Sequence, residues 1–339
     1  MKSYFPEKKA CLALALLSCG GVFTAYAQTE VPLKLTQTIP LPGVEGRIDH
    51  LAVDLAGHRL FLCALGNNTV EVIDYEKGAR IHSIAGLGAP QGVAYVPETN
   101  RIFVANDKDG LCNVYDGKSF ALLGSAKLED DADNVRYDSA AKLIYVGFGK
   151  GGLGVLDAQS GKRITALKLS GHPEAFALEK NGPRIFVNVP TARHVAVVDR
   201  KKGEVTATWK TDWAFANYPL ALDETSHRLF VGCRLPPKIV VLNSDSGAVV
   251  TSFKIGGDAD DVFYDAARHR LYAICGEGTA DVIDQINRDT YKMFAKIPTV
   301  SGARTGLFVP ELNSLFVAVP HHEKQTAELR RYAVEMINN

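Results

Sequence analysis

The chain has 339 residues, of which 46% are hydrophobic and 22% charged, with 38 Lys and Arg balanced by 38 Asp and Glu. That balance excludes a fibrous or disordered chain and gives no support to a protein that coats a polyanion, although a local basic patch stays compatible with it.

The first 27 residues differ in kind from the rest. Lys2, Lys8 and Lys9 precede an apolar stretch, CLALALL (11–17), and Ala25-Tyr26-Ala27 has the small-x-small form of a signal-peptidase site. The apolar stretch is too short to span a bilayer, which takes about 20 residues. The segment therefore reads as a signal peptide cleaved after Ala27, and the protein as periplasmic or secreted, with no transmembrane segment. Leu16-Leu17-Ser18-Cys19 offers a second processing route, in which Cys19 is acylated. The remaining cysteines, Cys63, Cys112, Cys233 and Cys275, have no CxxC spacing and each sits in an apolar strand pattern, which marks them as core residues.

From residue 33 onward one phrase recurs: RLFLCA (59–64), RIFVAN (101–106), LIYVGF (143–148), RIFVNV (184–189), RLFVGC (228–233), RLYAIC (270–275) and SLFVAV (314–319). Its aromatic anchors are Phe61, Phe103, Tyr145, Phe186, Phe230, Tyr272 and Phe316, spaced by 42, 42, 41, 44, 42 and 44 residues. Each copy is preceded by a short alternating strand such as HLAVD (50–54). It is followed by a strand ending in an acid or amide, such as VEVID (70–74) or IVVLN (239–243), and then by a fourth strand such as SGAVVTSFKI (246–255). Four short strands per repeat of this length predict an all-β fold, a seven-bladed β-propeller of four-stranded antiparallel blades occupying 28–339. Blade repeats start near 47, 91, 133, 174, 218, 260 and 304. The seventh repeat stops after its third strand, and LKLTQTIPLPGVEGR (33–47) matches the fourth strand of repeat six. The ring is therefore expected to be closed by the N-terminal strand in the last blade, which removes an open sheet edge.

Phrases of the form R-[IL]-[FY]-V-A-N followed by V-x-V-[IVL]-D resemble the YVTN-repeat β-propeller family over residues 32–335. The resemblance implies the fold and an exported bacterial type. Propeller relatives include lactonases and lyases, and some YVTN-type proteins are associated with DNA, but a shared fold does not transfer an activity.

The residue twelve positions before each anchor should line the channel mouth: Asp49, Gln91, Asp133, Glu174, Tyr218, Asp260 and Arg304, with His50 beside them. These are the candidate ligand-binding residues. Arg304 is expected between Asp260 and Asp49, where it either neutralises an acidic rim or holds an anion. Asp131, Asp133, His172 and Glu174 are candidate metal ligands, with calcium as the example, because crowded carboxylates share a proton or bind a hard cation. His321 and His322, expected near Arg304 and His50, are with His50 the candidate catalytic groups for acid–base work. His58, His227 and His269 share one turn position on the opposite face. The recurring Asp74, Asp116, Asp157, Asp199 and Asp284 suit turn capping. Three functions are compatible with these residues: binding of a small molecule or protein at the channel mouth, lactonase-like lyase or hydrolase chemistry there, or nucleic-acid binding. The acidic ring argues against the last.

Overall fold

In the computed structural model, residues 1–4 and 31–335 are described. Most of the expected signal peptide, with Cys19 and the Ala27–Gln28 junction, lies outside the described residues. Residues 31–335 form seven four-stranded antiparallel sheets, and six of them take their four strands from consecutive stretches of chain. In the first blade these are Leu51–Asp54, Arg59–Ala64, Thr69–Asp74 and Ala79–Ile84. The seventh blade is assembled from both ends of the ring. Leu33–Pro40 runs antiparallel to Glu328–Val334, pairing Leu33 with Val334 and Ile39 with Leu329. The sheets are the blades of a seven-bladed β-propeller closed by its N-terminal strand.

The recurring phrase occupies the second strand of every blade, and its burial explains why it recurs. Both faces of that strand are covered by neighbouring blades, so nearly every side chain on it is buried, as in Arg59–Ala64 and Arg184–Val189. The anchors Phe61, Phe103, Phe186, Phe230, Tyr272 and Phe316 are fully buried. The fourth strands face solvent on one side and alternate accordingly, as in Glu204–Lys210. Each hydrophobic cluster joins two successive blades. Phe61 and Val72 of blade one, for example, pack with Val93 and Ile102 of blade two. Ile39 of the closing strand packs with Phe316 and with Leu60 of blade one, so closure is sealed by apolar contact as well as by the ladder.

Polar members of the repeat latch the blades on the face away from the channel mouth. Arg59 pairs with buried Asp54 at 2.6 Å, lies over the Phe61 ring, and donates to the carbonyl of Gly117 in the next blade. Arg184 pairs with Glu179 and reaches the Ser244 carbonyl in the same way, and Arg228 reaches Asp289. The acid ending the third strand caps the turn that follows: Asp74 Oδ1 accepts from the Glu76 and Lys77 N–H groups, and Asp199 Oδ1 from Lys201 and Lys202. Asp284 instead pairs with Arg270 at 2.7 Å. His58, His227 and His269 hold left-handed backbone, φ 50° to 55°, in the turn before the second strand. Asn100 and Asn313 take the same conformation at the equivalent position. The four described cysteines are buried and unpaired.

Candidate functional site

The seven positions twelve residues before the anchors converge on one cavity of about 250 Å³ at the channel mouth. Arg47, Asp49, His50, Gln91, Asp131, Asp133, His172, Glu174, Tyr218, Arg234, Asp260 and Arg304 line it, and every one of them is polar. The convergence has a local cause, an irregularity at the inner end of blades one to six. The Asp49 N–H donates to the Cys63 carbonyl at 2.7 Å while the Cys63 N–H donates to the His50 carbonyl at 3.1 Å, so two residues face one. Asp133 and Asn134 face Gly147, and Glu174 and Ala175 face Asn188, in the same pattern. In blades two, five and six the register breaks between Pro90 and Gly92, Asn217 and Leu220, and Ala259 and Asp261. A bulge re-aims the side chain it carries, and in these six blades it turns the ring residue toward the channel mouth.

The cavity has two sectors. One is built around guanidiniums. Arg304 pairs with Asp258 at 3.0 Å, and its Nε lies 3.9 Å from Asp260. Arg234 donates to Asp260 at 2.7 Å and stacks on the Tyr218 ring with its guanidinium carbon 3.9 Å from the centroid. Arg47 pairs with Asp49 at 2.7 Å. The expectation that Arg304 is held between Asp260 and Asp49 is therefore corrected: Asp258 takes the place of Asp49, which is matched by Arg47. Arg304 also has company, because the second strand of blade five runs on to Leu235 and carries Arg234 over the mouth.

The opposite sector holds Gln91, Asp131, Asp133, His172 and Glu174. His172 Nδ1 lies 2.7 Å from the Gly149 carbonyl and 3.3 Å from Asp131, and its Nε2 lies 3.9 Å from Asp133. One ligand atom each from Asp133, His172 and Glu174 lie within 4.8 Å of one another. Asp131 is not in that trio; it faces the other ring nitrogen and accepts from Gln91 at 3.3 Å. Burial, reinforced by Asp133, pushes the Glu174 carboxyl up to about 8. Burial opposes charge on His172, but Asp133 and Asp131 outweigh it and hold the imidazole up at about 9.

His50 forms the floor. It lines both this cavity and a larger funnel of about 1440 Å³, walled largely by first strands and opening on the other side. Its ring nitrogens lie 3.6 Å from Asp49 and 3.5 Å from Asp261. Burial disfavours the imidazolium, yet Asp261 and Asp49 together raise it to about 10. Asp49 is driven up to about 7 by burial, against the pull of His50 and Arg47.

His321 and His322 do not line the cavity. His321 Nδ1 pairs with Glu45 at 2.8 Å, and His322 is exposed in a tight turn bridged to Gln325. The expected cluster of His321, Arg304, Asp49 and His50 is thus divided, with only the last three at the cavity. Of the two tryptophans, Trp209 packs on Phe186 and Trp213 is 80% exposed.

No family model matches the sequence. No curated protein matches it either. Among solved structures the chain is similar to a chain of the mitotic checkpoint complex, with TM-score 0.77 and 14% identity over 98% of this chain and 99% of that one. It is also similar to a chain of Kuenenia stuttgartiensis hydrazine synthase, with TM-score 0.72 and 16% identity over 91% and 99%. At such identities the likeness concerns the fold alone.

Proposed function

We propose that this β-propeller binds a small polar ligand in the channel-mouth cavity, with an anionic group of the ligand directed to Arg234 and Arg304. A propeller fold suits binding and catalysis alike. The observation that carries the binding reading is the convergence of all seven ring positions, from seven separate blades, on one small chamber with a wholly polar lining. A chamber of this size suits a compact molecule rather than a polymer. Three guanidiniums, each already paired with a carboxylate, do not make the continuous basic track that a nucleic-acid backbone requires.

The test is a calorimetric and thermal-shift panel of short hydroxy acids, dicarboxylates, hexuronates and lactones. Arg234→Ala is expected to weaken the best ligand by about 10- to 150-fold, the loss of one charge-assisted hydrogen bond worth about 1.5–3 kcal/mol. A panel without a response, or a response unchanged in Arg234→Ala and Arg304→Ala, removes the reading.

Asp49 and His50 favour a second reading, a lyase or hydrolase. The two groups touch at the cavity floor, and a carboxyl held near neutrality beside a charged imidazole suits proton transfer. Turnover of the same lactones and uronates, abolished in His50→Gln, would support it; binding without turnover returns the protein to the first reading.

We read the repeat phrases as those of the YVTN type and residues 1–27 as an export signal. Among the described residues no helix is long and apolar enough to cross a membrane. Mass spectrometry of the mature protein should find an N-terminus at Gln28, and a lipid-modified Cys19 would replace that reading with membrane tethering.

A further inference from the structure

We propose that Asp133, His172 and Glu174 form a three-ligand site for a first-row divalent transition metal, manganese or zinc, on the wall of the channel-mouth cavity. The inference rests on that cavity being the functional site and names the cofactor class it takes.

Geometry is the first support. The three ligand atoms already lie within 4.8 Å of one another. Two ligands at about 2.1 Å from a common ion stand roughly 3 to 4.2 Å apart, so side-chain adjustments of a few tenths of an ångström bring the trio onto one centre. Orientation is the second. The hydrogen bond of His172 Nδ1–H to the Gly149 carbonyl leaves Nε2 as the nitrogen facing Asp133. A backbone carbonyl fixing the far nitrogen is how protein sites aim an imidazole lone pair at a metal.

Charge is the third support, and it is independent of the other two. The Asp133 side chain is nine-tenths buried and faces into the cavity. Among the described residues its Oδ1 accepts only a long bond, 3.4 Å, from Asn134, and its Oδ2 accepts none. The three cavity arginines pair with Asp49, Asp258 and Asp260 instead. The nearest cationic partner of the buried Asp133 carboxylate is the His172 imidazole, whose Nε2 lies 3.9 Å away. A metal ion bound between Asp133, Glu174 and His172 takes the place of that ring proton and brings a closer counter-charge.

The ligand set selects the metal. Calcium takes six to eight oxygens, whereas one imidazole with two carboxylates suits manganese or zinc, so the expected calcium gives way to a softer ion. Asp131, 3.3 Å from the other ring nitrogen, orients His172 rather than ligating. His172 and Glu174 belong to blade four and Asp133 to blade three, so the ion would staple two blades. Three protein ligands leave coordination positions toward the cavity, where a carboxylate or hydroxyl oxygen of the small molecule can bind while its anionic end meets the guanidiniums.

The experiment is titration of EDTA-dialysed, untagged protein with MnCl2, ZnCl2 and CaCl2, followed by calorimetry and melting temperature, with no organic ligand present. One equivalent of manganese or zinc should bind and raise the melting temperature, with calcium at least about 100-fold weaker. His172→Ala and Glu174→Gln should each weaken binding by at least about 100-fold. Both side chains are partly exposed, and circular dichroism of the metal-free variants checks that they fold. The double variant His321→Ala, His322→Ala, outside the cavity, should bind normally. Absence of one-equivalent binding, or binding that survives in His172→Ala and Glu174→Gln, or that is lost with His321 and His322, overturns the site. Metal binding without any response to the organic panel keeps the site and removes the ligand reading, and the reverse pattern removes the site alone.

Discussion

At the scale of single residues, the channel floor ties stability to pH. His50 is held charged by Asp49 and Asp261, with Asp133 adding at longer range, and its pKa rises from 6.5 to about 10 in the fold. A raised pKa means that the folded state binds the proton more tightly than the unfolded chain. The contribution is therefore complete below about pH 6.5 and is lost as pH climbs through about 10. The melting temperature should fall between pH 7 and pH 10, and the slope should be shallower in His50→Gln. An unchanged slope would show that His50 is not the group responsible. Arg59 makes a second point at this scale. It is largely buried against Asp54, so Arg59→Ala strands a carboxylate and cuts a tie to the next blade. A loss of about 3 kcal/mol in chemical denaturation is expected, and a loss below about 1 kcal/mol would mean the latch is redundant. Residue types at this scale were readable from the sequence in uneven measure. The turn acids other than Asp284, and the core cysteines, follow directly from pattern. Arg234 does so only in part: it reads as the start of a loop on the cavity face, whereas the second strand runs on through it to Leu235. His321 and His322 were misplaced because their connection folds into its own tight turn and directs His321 to Glu45.

At the scale of the element, the bulge is the device that makes the site. Period-two alternation names the core face of a strand, but it cannot name a residue that a bulge has turned aside. Asp49, Asp133 and Glu174 follow from counting back from a buried aromatic, a landmark the bulge does not move. Gly92 shows how little room the device leaves. A Cβ built there would stand 2.2 Å from the Asp133 carbonyl oxygen in the next blade. Gly92→Ala should therefore push blades two and three apart, cost about 1–3 kcal/mol, and displace Asp133 from the cavity wall. Metal or ligand affinity should fall further than in a distant variant of equal stability. Equal falls would mean that Asp133 is not held by that contact.

For the whole molecule, the sequence was most legible where repetition multiplies a faint local signal. Seven copies of a short apolar phrase predict seven blades, and an incomplete last copy with a matching segment at the start predicts the closure that is observed. A chain beginning at Gly46 lacks Leu33–Pro40 and so leaves Glu328–Val334 as a bare edge. It should melt at a clearly lower temperature and self-associate by light scattering; a monomer with an unchanged melting point would show that the pairing is dispensable. The same closure sets an order of events. Six blades are made of strands adjacent in the chain and can pair as soon as they exist, but Leu33 must wait for Val334. The slowest step of folding should accordingly be the meeting of the two ends, the contact of greatest separation along the chain. Until then the seven-bladed body is an open arc, and its central chamber, assembled from residues of the first and last blades alike, does not yet exist.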